Sequence, residues 1–165
     1  MNIKRVGTVL IFSALLFSTL QILQAEDEPA RKDINFSTEL LALIRAEMLE
    51  IAGGIQTISL SIAVADWDTI QKTSIKLRDS YIMDQNLSTQ QAQELKEILP
   101  ENFKLLDAEF HQRADKLGIA AQNKDPEMVA FHYSRLVENC IHCHSAYART
   151  RFPGFDISVA QEHIH

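Results

Sequence analysis

The stretch from Pro126 to Tyr147 reads PEMVAFHYSRLVENCIHCHSAY. Apolar, aromatic and sulfur-bearing residues recur in it at steps of three and four, which is the spacing of one face of an α-helix. That face consists of Val129, Tyr133, Leu136, Cys140, Cys143 and Tyr147. Asp125 is a typical N-cap, Pro126 suits the first helical position, and 152–155 (FPGF) is expected to stop the helix. The sequence therefore predicts a final helix whose core-facing stripe carries both cysteines of the chain.

The first predicted helix spans about Thr38 to Val64 and follows Ser37, a suitable N-cap. Its apolar residues alternate steps of three and four over three heptads, the pattern of a bundle seam. The inward positions of this seam are Leu41, Ile44, Met48, Ile51, Ile55, Ile58 and Ile62. Gly53-Gly54 inside this helix costs about 1 kcal/mol per glycine relative to alanine. The pair indicates either a close approach of the backbone to a bound group or partner helix, or a simple packing adjustment.

Two more helices complete the pattern. Asp66 caps a second helix of about 67–83. A capping box at 88–91 (STQQ) opens a short helical segment, and Pro100 then either kinks the chain or starts the third helix, which runs to about Gln122. No β alternation occurs and the turns are short. The sequence therefore predicts an all-α, antiparallel four-helix bundle.

Near the end of the last helix, Cys140-Ile141-His142-Cys143-His144 forms C-x-x-C-H, the pattern of covalent haem attachment. Two thiols three residues apart can add to the two vinyl groups along one porphyrin edge, and His144 follows on the same face to reach the iron. A redox dithiol would follow a strand, and none is predicted here. A zinc site would need more ligands from His111, His132 or His163. The motif therefore predicts one haem c.

The N-terminus carries a targeting signal. Met1–Arg5 holds two basic residues, an apolar run follows from Val6 to about Leu23, and Ala25 precedes the acidic Glu26–Glu28. This pattern predicts a secretory signal peptide over residues 1–25, with an uncleaved membrane anchor as the alternative. Either way the rest of the chain crosses the membrane. The predicted location is therefore the periplasm, where attachment of haem through thioethers also belongs.

The net charge of the chain limits the kinds of molecule that the protein can bind. Removing residues 1–25 takes two of the 16 basic residues and none of the 22 acidic ones, which leaves a net charge of −8. So acidic a protein is unsuited to nucleic acid or to an anionic membrane surface. The predicted organisation is a flexible leader at 26–35, one four-helix-bundle domain at 36–155 and a tail at 156–165.

Over about Phe36 to Arg151, the chain resembles the class II cytochromes c, the cytochrome c′ and cytochrome c556 group. Two local motifs carry the resemblance: CIHCHSAY at 140–147, and Arg45-Ala46-Glu47-Met48 with Ile51, Ile55 and Ile58 following. Members of this group are four-helix bundles with one haem on a C-x-x-C-H near the end of the last helix. The resemblance therefore implies the same fold and one covalent haem c.

The same resemblance implies a role for Met48. In the group, the first helix supplies the residue on the iron face opposite the histidine: methionine in low-spin electron-transfer members, leucine or another apolar residue in five-coordinate ones. Met48 stands at that position, and its thioether is a soft ligand suited to haem iron. On the residues alone, a methionine in an aliphatic seam is usually core filler. Met83 and Met128 are rivals that lie farther from His144 along the bundle.

Two arginines follow the motif. Arg149 and Arg151 could pair with haem propionates, although cations are also favoured at any helix C-terminus by the macrodipole. The class II group often has lysine or arginine four residues after the haem histidine, against the proximal haem face in gas-binding members. Here that position is Ala148, which weakens the analogy with gas binders.

The motif, the targeting signal and the resemblance together imply a periplasmic monohaem electron carrier, not an enzyme, with His144 and Met48 as iron ligands and redox proteins as partners. One alternative is a five-coordinate protein that binds nitric oxide or carbon monoxide, and another is a zinc-stapled helical interaction module. A homodimer through the first two helices is compatible with the resemblance. No nucleic acid is expected, and no membrane contact beyond the signal peptide.

Overall fold

The computed structural model describes residues 33–155, so the predicted signal peptide, most of the leader and the tail lie outside the described residues. Within 33–155 the chain is helical, and no strand occurs there. The helices are α1 Thr38–Ala63, α2 Trp67–Arg78, α3 Met83–Asn86, α4 Thr89–Ile98, α5 Glu101–Gln122 and α6 Pro126–Tyr147, followed by a 3-10 turn at Pro153–Phe155.

The predicted helix starts are confirmed by their caps. Side-chain oxygens of Ser37, Asp66 and Asp125 accept hydrogen bonds from backbone N–H groups three residues ahead, which would otherwise lack partners. The capping box of Ser88 and Gln91 is complete, with both reciprocal hydrogen bonds present. Pro100 occupies the N-cap position of α5, so it starts a new helix and does not kink an existing one.

The prediction that the second helix reaches Met83 is wrong, since α2 ends at Arg78. Ser80 has a φ of 59°, a left-handed conformation that a right-handed helix cannot pass. Ala65 and Lys124, with φ of 56° and 54°, follow α1 and α5 in the same way. A left-handed residue just beyond a helix is a common helix terminator. The chain therefore turns at all three points.

Contacts between residues far apart in sequence show how the helices run. From α2 to α5, Arg78 pairs with Asp115 at 3.2 Å, and Ser74 lies against Gly118. From α5 to α6, the rings of Phe103 and Tyr147 meet with centroids 5.3 Å apart, and Asn139 donates to the Leu106 carbonyl at 3.2 Å. Within each pair, residue numbers rise on one helix as they fall on the other, so both pairs are antiparallel.

Helix α1 completes the bundle against α2 and α6. Gly54 lies beside Leu77 of α2 and beside Tyr81, and the Glu47 carboxylate accepts the Tyr81 N–H at 2.9 Å. On the other side, the Tyr133 hydroxyl of α6 donates to the Ile55 carbonyl at 3.4 Å. The expectation of a helical bundle is thus confirmed, with α1, α2, α5 and α6 as its long members. The covalent haem stays a prediction.

The core lies between these four helices. Its fully or nearly fully buried members are Ile58, Ile70, Leu77, Ala114, Leu117, Ala120, Ala121, Val129 and Leu136. Burying one large aliphatic side chain stabilises a fold by about 1.5–3 kcal/mol, so this cluster supplies much of the driving force for folding. Among residues 33–155, no helix is long and apolar enough to cross a membrane.

The connection between α2 and α5 is itself ordered by polar contacts. Its helix α4 reaches the start of α1, where the Glu94 carboxylate accepts the Ser37 N–H at 2.7 Å and the Ser37 hydroxyl at 2.8 Å. Because Ser37 also caps α1, this contact fixes the beginning of the helix that carries Met48.

Candidate functional site

The three residues of the C-x-x-C-H motif lie in the last two turns of α6. Cys140, Cys143 and His144 are all half-buried. At about 100° per residue, Cys140 and His144 lie within about 20° of Tyr133 around the helix axis. Tyr133 contacts α1 through its hydroxyl. The motif therefore presents Cys140 and His144 toward α1, with Cys143 turned further toward the core.

Burial keeps these three groups uncharged. It lowers the pKa of His144, so the imidazole is neutral and a ring nitrogen retains a lone pair. Burial, with smaller contributions from Asp107 and Cys140, raises the pKa of Cys143 to about 11. Burial also raises the pKa of Cys140. A neutral imidazole is a good metal ligand, whereas thiols with raised pKa values are poor redox nucleophiles.

Two alternatives to haem attachment at this motif are a redox dithiol and a zinc site. Reactive dithiols have lowered thiol pKa values, opposite to the shifts here, so the arrangement does not favour redox chemistry at the sulfurs. Over 33–155, no three His, Cys, Asp or Glu side chains form a group that could hold a metal ion. The described part of the chain therefore supplies no tetrahedral zinc site.

Met48 does not point into the core as the seam pattern predicted; its side chain is 42% exposed. The buried side of α1 is turned toward α2 and consists of Leu40, Glu47, Gly54, Ile58 and Ser61. Met48 lies one heptad before Ile55, within about 20° of it around the helix. Since the Ile55 carbonyl contacts Tyr133 of α6, Met48 lies on the side of α1 that faces α6.

The axial register places Met48 close to the motif. Met48 is seven residues before Ile55 and Cys140 is seven after Tyr133, so in antiparallel helices the two share one level. His144 is one turn beyond, an axial offset of about 6 Å. Each Cβ tilts toward the N-terminus of its own helix, so the side chains of Met48 and His144 lean toward each other. The fold therefore brings this predicted ligand pair to the same interhelical face.

The rival methionines are placed less well. Met128 lies in the first turn of α6, about 24 Å along the helix from His144. Met83 begins α3, the short helix beyond α2, where its N–H is held by Glu47. Met128 is therefore far from the motif, as expected. The expectation that Met83 lies farther along the bundle is wrong, because its bond to Glu47 places it near the level of Met48, but it follows α2 and is not part of α1 or α6.

Glu47 is a structural residue that the sequence interpretation missed. It is only 4% exposed, and its carboxylate accepts the N–H groups of Tyr81, Ile82 and Met83 at 2.9, 2.6 and 3.2 Å. A signal was present, because positions 40, 47, 54 and 61 form a strict heptad that places Glu47 among the buried residues of α1. The charge obscured that pattern. Glu47 fixes α1 to the chain beyond α2, next to Met48.

The segment after α6 was also not anticipated. Backbone hydrogen bonds from Arg151 and Phe152 to Ala148 turn the chain back on the helix end. The Phe152 ring then stacks on the His144 ring, with centroids 4.5 Å apart and planes 25° apart. From the start of the domain, the Asp33 carboxylate accepts the N–H groups of Arg149 and Thr150 at 2.9 and 3.1 Å.

The two arginines proposed for the propionates differ in their settings. Arg149 is half-buried and donates from Nε to the Ser145 carbonyl at 2.7 Å, in the last turn of α6. This is the capping role that a cation has at a helix C-terminus. Arg151 is exposed. Their contact with a propionate stays a prediction.

The Gly53-Gly54 pair divides into two different positions. A Cβ at Gly54 would lie 2.6 Å from the Tyr81 hydroxyl and 3.3 Å from Leu77 Cδ2, so the glycine allows close approach of Tyr81 and α2. Gly53 is exposed and has nothing within 4 Å of its Cβ direction. The partner-helix interpretation thus fits Gly54 alone.

Comparisons of the chain with protein-family models, with curated proteins and with solved structures find no match. The resemblance to class II cytochromes c therefore rests on the local motifs at 45–48 and 140–147.

Proposed function

We propose that this protein is a class II c-type cytochrome, a periplasmic electron carrier with one haem held by Cys140, Cys143 and His144. The observation that supports this most is the placement of C-x-x-C-H on the side of α6 that faces α1, at the level of Met48. The donor set fits the group: two neutral thiols, a neutral imidazole and a thioether across from them.

The interhelical face also fits a flat apolar group. Along α1, the residues on the α6 side are half-buried rather than sealed: Leu41, Ile44, Ile51, Ile55 and Ile62. When bound, haem supplies one-electron redox chemistry at iron. In this proposal the chain's own residues do the rest. The thiols tether the group, His144 and Met48 fix the iron ligation, and the aliphatic residues limit access of water.

Met48 as sixth ligand favours electron transfer, because a fixed ligand set changes little between oxidation states and a thioether raises the reduction potential. The second candidate is a five-coordinate protein that binds nitric oxide or carbon monoxide. The exposure of Met48 favours this alternative, since a side chain that the core does not hold can turn away from the iron. Ala148 in place of a cation argues against it.

The net charge and the exposed apolar residues of α1 indicate which partners the protein would bind. A strongly acidic chain suits redox partners with basic docking surfaces. The homodimer suggested by the resemblance would use the outer side of α1, where Leu49, Leu60 and Val64 are exposed. Like the periplasmic location, it belongs to the proposal.

The deciding experiment is an absorption spectrum in both oxidation states, with carbon monoxide added to the reduced form. We expect low-spin spectra and a slow or weak reaction with carbon monoxide in the wild type. Met48→Ala should give high-spin, gas-reactive iron and a lower reduction potential. Met128→Ala is the matched control, because that methionine is 41% exposed but lies at the far end of α6. A high-spin wild type whose spectrum Met48→Ala leaves unchanged would establish the gas-binding alternative.

Attachment is tested separately. Thioether bonds should keep the haem on the protein through acid–acetone extraction, and Cys140→Ala or Cys143→Ala should weaken that retention. Complete extraction of haem from the wild type would contradict the proposal, as would a purified protein without a Soret band.

A further inference from the structure

The contact between Phe152 and His144 has no counterpart in the motif that defines the site. Phe152 follows α6 by five residues, yet its ring lies nearly parallel to the imidazole at a centroid distance of 4.5 Å. It is 38% exposed, so one part of the ring covers the histidine while another part meets solvent. Phe155 packs edge-on against Phe152, with centroids 6.5 Å apart.

Two further contacts hold this turn in place. Asp33 accepts the N–H groups of Arg149 and Thr150, which ties the turn to residues ahead of α1. The Arg149 Nε–H donates to Ser145, within α6 itself. The stack is therefore part of an ordered cap, defined here as residues 148–155 with Asp33, that closes over the end of α6.

The geometry points to Phe152 as a positioning residue for the iron ligand: it sets the plane of the His144 ring and shields one face of that ring from water. This inference rests on the proposed function. A ring nitrogen binds iron through a lone pair in the plane of the imidazole, so a partner stacked on the ring face leaves that lone pair free. Groups that orient a ligating histidine tune the metal as well as the ligand.

An aromatic ring is suited to this task. Offset stacking favours near-parallel planes, so a planar partner restricts rotation about the last side-chain torsion of His144. A leucine of similar apolar character would cover the same surface but impose no plane. Replacing Phe152 with leucine therefore tests the planar shape of the ring separately from its hydrophobicity.

The test compares Phe152→Leu with Phe152→Tyr in the full-length, haem-loaded protein. Phe131→Leu is the control for the loss of an exposed aromatic residue away from the motif. We expect a single ferric electron paramagnetic resonance signal in the wild type, in Phe152→Tyr and in Phe131→Leu. Phe152→Leu should broaden or split that signal and shift the reduction potential. Unchanged signal and potential in Phe152→Leu would overturn the inference.

A second readout does not need the haem. In protein produced without haem, the ring current of Phe152 should shift the ring-proton resonances of His144 in nuclear magnetic resonance spectra. Phe152→Leu should abolish that displacement, and Phe152→Tyr should preserve it. Absence of the displacement in the wild type would also overturn the inference. If the wild type carries no covalent haem, it is the proposed function that fails, and the resonance experiment still decides whether Phe152 orients His144.

Discussion

The interface between α2 and α5 and the one between α1 and α6 are built differently. Helix α2 packs against the second half of α5: Ser74 lies against Gly118, Arg78 pairs with Asp115, and His111 contacts the Leu77 carbonyl at the end of α2. Helices α1 and α6 meet over a much shorter stretch, and the aliphatic residues between them are half-buried. The first interface is a closed core. The second is where the site residues lie, so packing is least complete where a cofactor would be held.

The largest difference between the two interfaces should appear when one leucine in each is replaced by alanine. Leu117→Ala removes a fully buried side chain of α5 and should cost about 2–5 kcal/mol of unfolding free energy. Leu41→Ala removes a half-buried one from the α6-facing side of α1 and should cost about 1–2 kcal/mol in the haem-free protein. Chemical denaturation measures both. Equal costs would mean that the two interfaces are packed alike.

A second prediction concerns the anchor of α1. Glu47→Gln keeps the shape of the side chain but replaces one acceptor oxygen with a donor amide facing backbone N–H groups. We expect a loss of about 2 kcal/mol, because a buried hydrogen-bond network is left partly unsatisfied. Glu50→Gln, at an exposed position one turn away, should change stability by less than about 0.5 kcal/mol. If the two variants melt together, Glu47 does not anchor the helix.

Alanine substitutions at the adjacent residues Gly53 and Gly54 should change stability by smaller amounts and in opposite directions. Gly53→Ala should raise stability by about 0.5–1 kcal/mol, since alanine favours the helix and meets nothing there. Gly54→Ala should lower it by about 1 kcal/mol, because the Tyr81 hydroxyl can move aside but buried Leu77 must give way. Thermal melts suffice. Two stabilising substitutions would show that α1 does not approach α2 as closely as described.

The smallest expected effect depends on pH. The Asp107 carboxylate, 3.7 Å from Nε2, is the main cause that raises the pKa of His111, and the His111 Nδ1 lies 3.0 Å from the Leu77 carbonyl oxygen. Because the folded pKa exceeds the unfolded one, the stabilisation is complete below about pH 6.5 and is lost as pH rises through the folded value. We expect protonated His111 to contribute less than about 1 kcal/mol to the free energy of unfolding. The His111→Gln variant should lack this contribution.

His132 supplies the control with the opposite sign. Burial, with a smaller effect from Lys116, lowers its pKa, so His132 opposes folding as pH falls. His132→Gln should therefore raise stability at acidic pH, whereas His111→Gln should lower it. Melting temperatures between about pH 5 and 8 compare the two. Parallel profiles for both variants would contradict the assignment.

The sequence was sufficient for the helices because their signals are local. Ser37, Asp66, Ser88 and Asp125 cap the helices they were predicted to cap, and the apolar periodicities mark the long ones. The end of α2 was misplaced because nothing in the residue type of Ser80 requires a positive φ. Tertiary contacts support that conformation, among them the hydrogen bonds that the backbone N–H groups following Ser80 donate to Glu47.

The site was only partly predictable for a related reason. Cys140, Cys143 and His144 are adjacent in sequence, so their shared placement follows from one helix. The orientation of Met48 depends on how α1 rotates against two neighbours, and a 3–4 seam is broad enough to allow either Glu47 or Met48 inside. The contacts of Asp33 and Phe152 join positions whose relation no local pattern encodes.

The bond between Asp33 and Arg149 also bears on the order in which the domain assembles. It spans 116 residues, against 37 for the Arg78–Asp115 pair. Closing the longer loop costs about 1 kcal/mol more in chain entropy, and contacts between distant residues form more slowly. We therefore expect each helix to pack first against its neighbour along the chain, α1 on α2 included, and α1 and α6 to meet last. During that interval Cys140, Cys143 and His144 are carried on a formed helix whose future partner has not yet covered them.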